Sequence, residues 1–360
     1  MKRVLVVLLM VAVVVSLAAA GCAKEAPAPA PAPAAPEYGP PAEVTEWVYQ
    51  PCFGPSDAGW ANGVVPWVED VEAATEGTIK IELLPIGSIV GEEESLGACR
   101  EGMLDVTACW APCYSGDLPE GMLAYGLALG CQNWEEAWDV MWADPKYRIG
   151  DIVQKAANNV NLQWAGWADQ GPNGQFTNFE VHKWEDYSGH KMRAGGPQAI
   201  FFNAVGGSAV QMPGGEILMS LKLGTIEGTF WDTGGTDDMH FYEETKYVIK
   251  PVWCPAQHQD TYINLDSWNA LNQWQRDRIM YDVFMSNYFK TSRMHNEGVE
   301  AAIQTYLDHG GEIIRFSDEE VDRLLEKVAA EVWPAYAELS PGNAQGVEIY
   351  KQFLKDKGRL

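Results

Sequence analysis

Residues 78–85 read TIKIELLP, apolar at alternate places and rich in β-branched side chains, which is the pattern of a strand with one buried face. Apolar runs at 105–110 and 161–168 predict two buried strands, and shorter ones follow at 191–194, 208–212 and 262–265. Between them the apolar period lengthens to that of a helix. Gly91 with Glu92, Glu93 and Glu94 predicts a helix start running to about Gly102, because carboxylates suit the positive end of a helix. Trp134, Trp138 and Trp142, at i, i+4 and i+8, predict an amphipathic helix whose tryptophan stripe faces the core. Helices also begin at Pro197 and near Gly215. From 272 to 309 helical periodicity continues without proline, which at 1.5 Å per residue makes one helix of about 55 Å. Two more helices, at 318–337 and 344–355, close the chain. Repeated β–α alternation predicts mainly parallel sheets with helices on both faces, and a helix that long predicts a strut shared by two lobes.

The N-terminus follows neither period. Lys2 and Arg3 precede an uninterrupted apolar run at 4–15 and the small residues SLAAAG at 16–21. That run is too short to cross a bilayer, so residues 1–21 are expected to be a cleaved export signal. Small residues directly before a cysteine resemble the lipobox of bacterial lipoproteins, with Ala19 where a leucine is usual. The resemblance implies that Cys22 is lipidated. Residues 22–43 then form an Ala/Pro linker holding 7 of the 21 prolines, a semi-rigid tether of roughly 60 Å from membrane to folded body.

Composition narrows the function. The chain has 360 residues, enough for two globular domains, with 25 Lys and Arg against 50 Asp and Glu. A net charge of −25 repels phosphate backbones and excludes non-specific nucleic-acid binding. Seven cysteines include no CxxC pair, and the six histidines are scattered rather than spaced as metal ligands. No GxSxG elbow, HExxH helix, Walker loop or GxGxxG turn is present, so no enzyme activity, metal or cofactor is expected.

In open α/β sheets ligands bind beyond the carboxyl ends of the strands, and four such ends are aromatic and polar. They carry Trp110 and Tyr114; Trp167, Asp169, Gln170, Asn173 and Gln175; Arg193; and Trp231 with Asp232. Arg193 is followed by Gly195, Gly196 and Pro197. Glycines let backbone N–H groups approach a ligand and proline suits a first helical position, so this end reads as an anion site. The alternative is an ion pair of Arg193 with one of the many carboxylates. His258, in the run QHQD, is read either as pocket lining or as a solvated loop residue.

Several runs in this order resemble the DctP-type extracytoplasmic solute receptors of TRAP transporters: GHKMRAGG at 189–196, FFNAVGG at 201–207, VQMP at 210–213 and LKLGTIEG at 221–228. WVEDVEAATEG at 67–77, WAPCYSG at 110–116 and NLDSWNAL at 264–271 are similar to that family too, and the likeness covers about residues 46–355. It implies an α/β, two-lobe fold like that of periplasmic binding proteins, with a ligand cleft between lobes and a long helix spanning both. One lobe is expected at 44–168 with 260–300, the other at 169–259 with 301–360. The resemblance implies capture of a small organic acid and its delivery to TRAP membrane permease subunits, in a periplasmic or cell-surface location. Arg193 matches the family's carboxylate-pairing arginine. Asn173 and Gln175 stand by position in its second ligand-contacting loop. Members that hold their acid with a cation place a Glu before the retained Trp231 and another near Gln257; here the first is Phe230. Both changes argue against a cation in the cleft, where Asp232 is the one carboxylate nearby. A surface-anchored hydrolase with an unrecognised site, or a receptor domain reused as a sensor, are the competing readings.

Overall fold

The computed structural model describes residues 38–52, 54–55, 59–110, 114–169, 171–234, 239–254 and 257–360, the side chain of residue 169 excepted. The expected export signal, Cys22 and most of the Ala/Pro-rich stretch lie outside the described residues. The chain divides into Met1–Tyr38, of which Tyr38 alone is described, and Gly39–Leu360, which holds everything below.

Eleven strands are described, in two sheets. The first has the order β2-β1-β3-β10-β4, from β1 (Thr45–Tyr49), β2 (Ile79–Leu83), β3 (Val106–Cys109), β4 (Leu162–Asp169) and β10 (His258–Asn264). The second has the order β11-β9-β5-β8-β6-β7, from β5 (Asn173–Thr177), β6 (Lys191–Arg193), β7 (Ser208–Val210), β8 (Gly228–Asp232), β9 (Tyr247–Cys254) and β11 (Glu312–Arg315). The sheets are mixed rather than mainly parallel. β10 runs antiparallel to both β3 and β4, and β5 antiparallel to both β8 and β9. The reason is connectivity. The chain leaves the first sheet after β4 and returns after β9, and the two crossings run side by side in opposite senses. His258 pairs with Asp169 on one side of the crossing and Asn173 with Cys254 on the other. Gln257 N donates to Gly171 O (3.3 Å), which ties the crossings together.

The long helix forms as its periodicity predicts. Asn272 caps it, its Oδ1 accepting from Gln275 N (2.9 Å) while Gln275 Oε1 accepts from Asn272 N (3.1 Å). Helical backbone then runs through Gln273–Asp277, a wider π-type stretch at Arg278–Phe284, and Met285–Asp308. Gly310, at φ +85°, ends it in the left-handed region that glycine tolerates best. Tyr288 stacks on Trp167 of β4 at 4.5 Å between centroids, while Tyr306 packs on Phe176 of β5 at 5.9 Å. One helix therefore touches both sheets.

Other helices depart from expectation in detail. The three glutamates occupy a turn, and the helix begins after them at Ser95–Arg100. The tryptophan stripe does face the core: Trp138 stacks on Tyr288 at 4.9 Å and Trp142 on Trp164 at 5.1 Å. Residues 301–360 reach both sheets. Arg323 pairs with Glu185 beside the second sheet, but the last helix, Pro341–Asp356, returns to the first. Gly346 there abuts Leu123, and Phe353 packs edge-on against Tyr147 at 5.2 Å. A Cβ at 346 would stand 2.4 Å from a methyl of Leu123, which would have to shift.

Candidate functional site

Three short strands deliver Arg193. β6 pairs with β7 on one side and β8 on the other, Arg193 falling opposite Val210 and Thr229. The strand ends at Arg193, Gly195 and Gly196 follow, and Pro197 opens the helix Pro197–Ala204. Gly196 sits at φ +50°, which turns the chain from strand into helix.

The guanidinium of Arg193 is half-buried over the ring of Trp231, its Cζ 5.0 Å from the centroid. Nε donates to Met212 O and Nη1 to Phe230 O, each at a long 3.4 Å. Among the described residues no carboxylate forms an ion pair with it, whereas thirteen such pairs hold other arginines and lysines. Burial pushes its pKa down. A desolvated cation with two weak carbonyl contacts is costly to hold and is relieved by an incoming anion.

A line of polar groups leads away from this helix start. Gly195 N donates to Gln198 Oε1 (3.4 Å), and Gln198 Nε2 to Tyr125 OH (3.4 Å). Tyr125 OH in turn donates to Gln257 Oε1 (2.9 Å), which also accepts from Asn173 Nδ2 (2.9 Å). The line runs from the turn after β6 to both chain crossings. Tyr125 and Gln198 carry no local sequence signal, because they meet through contacts far apart in the chain.

Trp231 is half-buried beneath the arginine, with Gly214 against the ring edge, where a Cβ would lie 2.7 Å away. Asp232 ends β8 opposite Asn173, and its Oδ1 accepts from Gly234 N (3.1 Å). Asn173 is buried in β5, not in a loop. The remaining expected residues are engaged elsewhere. Gln175 is buried with its Oε1 accepting from Tyr187 OH. Trp110 is half-buried against the hydrophobic core at the end of β3.

Tyr114 turns inward, its hydroxyl donating to Asp260 Oδ2 (2.7 Å), while Trp164 Nε1 donates to Asp260 Oδ1 (2.9 Å). Asp260 lies in the middle of β10, and burial pushes its pKa from 3.8 up to about 8. Between those values the folded chain holds a proton that the unfolded chain has released, so stability falls as pH rises through that window. One such proton changes stability by up to about 1.4 kcal/mol per pH unit. Denaturant melts of wild type and Asp260→Asn from pH 4 to 9 should show this loss in wild type and a flatter profile in the variant. Parallel profiles would contradict it.

His258 is neither a pocket residue nor solvated. It is buried, stacked on Trp167 at 3.7 Å, with Nδ1 donating to Ala124 O (3.0 Å). Burial pushes its pKa well below the ordinary value, so it stays neutral. Phe230 packs on Phe201 and Phe202 at about 6 Å, and Gln257 offers an amide. The two places where cation-holding receptors carry a Glu thus hold no carboxylate.

The model of bacterial extracellular solute-binding proteins, family 7, known as DctP, matches residues 53–339. The chain belongs to this family. It is 22% identical over 310 residues to a monocarboxylate 2-oxoacid-binding periplasmic protein of Nostoc, covering 84% of this chain and 82% of that one. Among solved structures, a TRAP transporter solute-binding protein of Bordetella bronchiseptica, with copurified calcium and picolinate, superposes with a TM-score of 0.75. It is 18% identical, covering 88% of this chain and 93% of that one. A TRAP periplasmic solute-binding protein of Desulfovibrio salexigens with bound orotic acid gives 0.72 at 18% identity, covering 87% and 99%. These solved structures share the two-lobe α/β fold with this solute-binding protein. Among the described residues no helix is long and apolar enough to cross a membrane.

Proposed function

We propose that this solute-binding protein is the extracytoplasmic receptor of a TRAP-type transporter, that it holds one small organic acid by its carboxylate, and that it passes the acid unaltered to membrane permease subunits. The observation that carries the reading is Arg193: desolvated, backed by Trp231, four residues ahead of a helix that begins at Pro197, and with no carboxylate partner among the described residues. Picolinate and orotic acid in structurally similar receptors, and the 2-oxoacid in the name of the Nostoc relative, support a carboxylate as the shared ligand group. Trp231, Asp232 and Asn173 would surround the rest of the acid. The lobes would be 44–168 with 260–300 and the last helix, against 169–259 with β11, closing about the paired crossings after β4 and β9. The reading includes no catalytic step.

We place the protein at the outer face of the membrane, tethered by lipid on Cys22 and spaced from it by the Ala/Pro linker. Cys22→Ser should then lose fatty-acid labelling and leave the membrane fraction; unchanged labelling would refute the anchor. For the receptor itself, small-angle scattering should show compaction on binding the acid at a 1:1 ratio, with the acid recovered intact. Conversion of the acid above background, lost on mutating Arg193, would support an enzyme instead.

A further inference from the structure

Three side chains far apart in the sequence converge beside the first sheet. Past the end of β1 the chain continues along β3, Gln50 N donating to Val106 O (3.2 Å) and Cys52 N to Ala108 O (2.8 Å). Tyr49 faces Val106 in parallel register, so three residues further along each chain Cys52 comes opposite Cys109. Glu92 reaches the same place from the turn ahead of the helix Ser95–Arg100. Two sulfurs and a carboxylate oxygen lie within 4.8 Å of one another, both thiols buried and Glu92 exposed. That spacing suits ligands of one cation: with Zn–S near 2.3 Å and Zn–O near 2.1 Å, tetrahedral ligand atoms stand roughly 3.5–4 Å apart.

The arrangement is held from beneath. Gln50 is fully buried; its Oε1 accepts from Ile89 N (2.6 Å) and Val90 N (3.4 Å), and its Nε2 donates to Val90 O (2.8 Å). Ser95 Oγ donates to Gly91 O (3.0 Å) and Ser95 N to Glu92 O (3.3 Å). The segment carrying Glu92 is therefore fastened to the strand carrying Cys52, two residues away.

We propose that Cys52, Cys109 and Glu92 form a site for a soft divalent cation of the zinc type, with a fourth position open to water on the exposed side. Binding would release the two thiol protons to solvent and leave both sulfurs as thiolates, with no change of oxidation state. It would pin the end of β3 one residue before Trp110. The site is separate from Arg193 and does not depend on which acid the receptor carries.

The test uses the full-length protein, reduced and stripped with a chelator. Zn²⁺ titrated against a chromophoric competitor should bind at one equivalent, and Cd²⁺ in its place should give a thiolate-to-metal ultraviolet absorption band. Cys52→Ser and Cys109→Ser should each diminish the band and weaken Zn²⁺ binding more than about 100-fold, beyond the ~10–100-fold carried by partners that only orient ligands. Glu92→Gln is at the surface and should fold normally; it should keep the band but lose about 10-fold or more in affinity. The proposal is overturned if the reduced protein binds no equivalent of Zn²⁺ or if the band survives in both cysteine variants. It is overturned equally if Glu92→Gln binds like wild type, or if peptide mapping without reductant finds Cys52 joined to Cys109.

Discussion

Arg193→Ala should bind the acid at least ~100-fold more weakly than wild type, and Arg193→Lys nearly as weakly. A guanidinium grips a carboxylate through two parallel charge-assisted hydrogen bonds, each worth about 1.5–3 kcal/mol net. Losing roughly 3 kcal/mol costs two factors of ten, at 1.4 kcal/mol each. Lysine presents a point charge, not a fork, and cannot restore the pair. The long contacts to Met212 O and Phe230 O leave the arginine little to do for the fold. Burial of an unpaired cation also opposes folding, so neither variant should melt below wild type by a large margin. Calorimetric titration and thermal melts on the same preparations separate the outcomes. A fall in melting temperature with affinity kept within a few-fold would make Arg193 a structural residue.

The second large effect is on stability. Trp167→Ala should destabilise the protein by about 3–5 kcal/mol, the usual cost of emptying a buried tryptophan site. Trp167 is fully buried in β4, stacked on His258 at 3.7 Å and on Tyr288 at 4.5 Å, with Trp138 at 6.4 Å. Its Nε1 donates to Ala124 O (3.0 Å), but that carbonyl keeps His258 Nδ1 as a donor, so the loss is mostly cavity and contact. Trp167→Phe should recover much of the loss by keeping a ring against the two neighbours. Urea unfolding measures both. An alanine variant within about 1 kcal/mol of wild type would mean this aromatic wall is loosely packed.

Elements with one buried face were legible from their periods, as β2 and the long helix show. The strand-to-helix turn beside Arg193 was legible because the strand runs into a Gly-Gly-Pro helix start. Strand direction was not legible, since it depends on where the chain crosses between sheets rather than on any local period. β10 shows the difficulty: all seven residues of HQDTYIN are buried, polar ones included, because it lies between β3 and β4. Asp260 in that strand needs donors, which is why Tyr114 turns to the interior instead of to a ligand. Tyr125 meets Gln257 across 132 residues, and no spacing rule reaches so far. The approach of Cys52 to Cys109 likewise follows from the pairing of β1 with β3, not from any cysteine spacing.

Native mass spectrometry of the protein as purified, beside Arg193→Ala purified in the same way, tests the central claim most directly. Wild type should carry one small carboxylic acid per chain, released with unchanged mass on denaturation, and the variant should carry none. A ligand without a carboxylate, or equal occupancy in the two proteins, would contradict capture through Arg193.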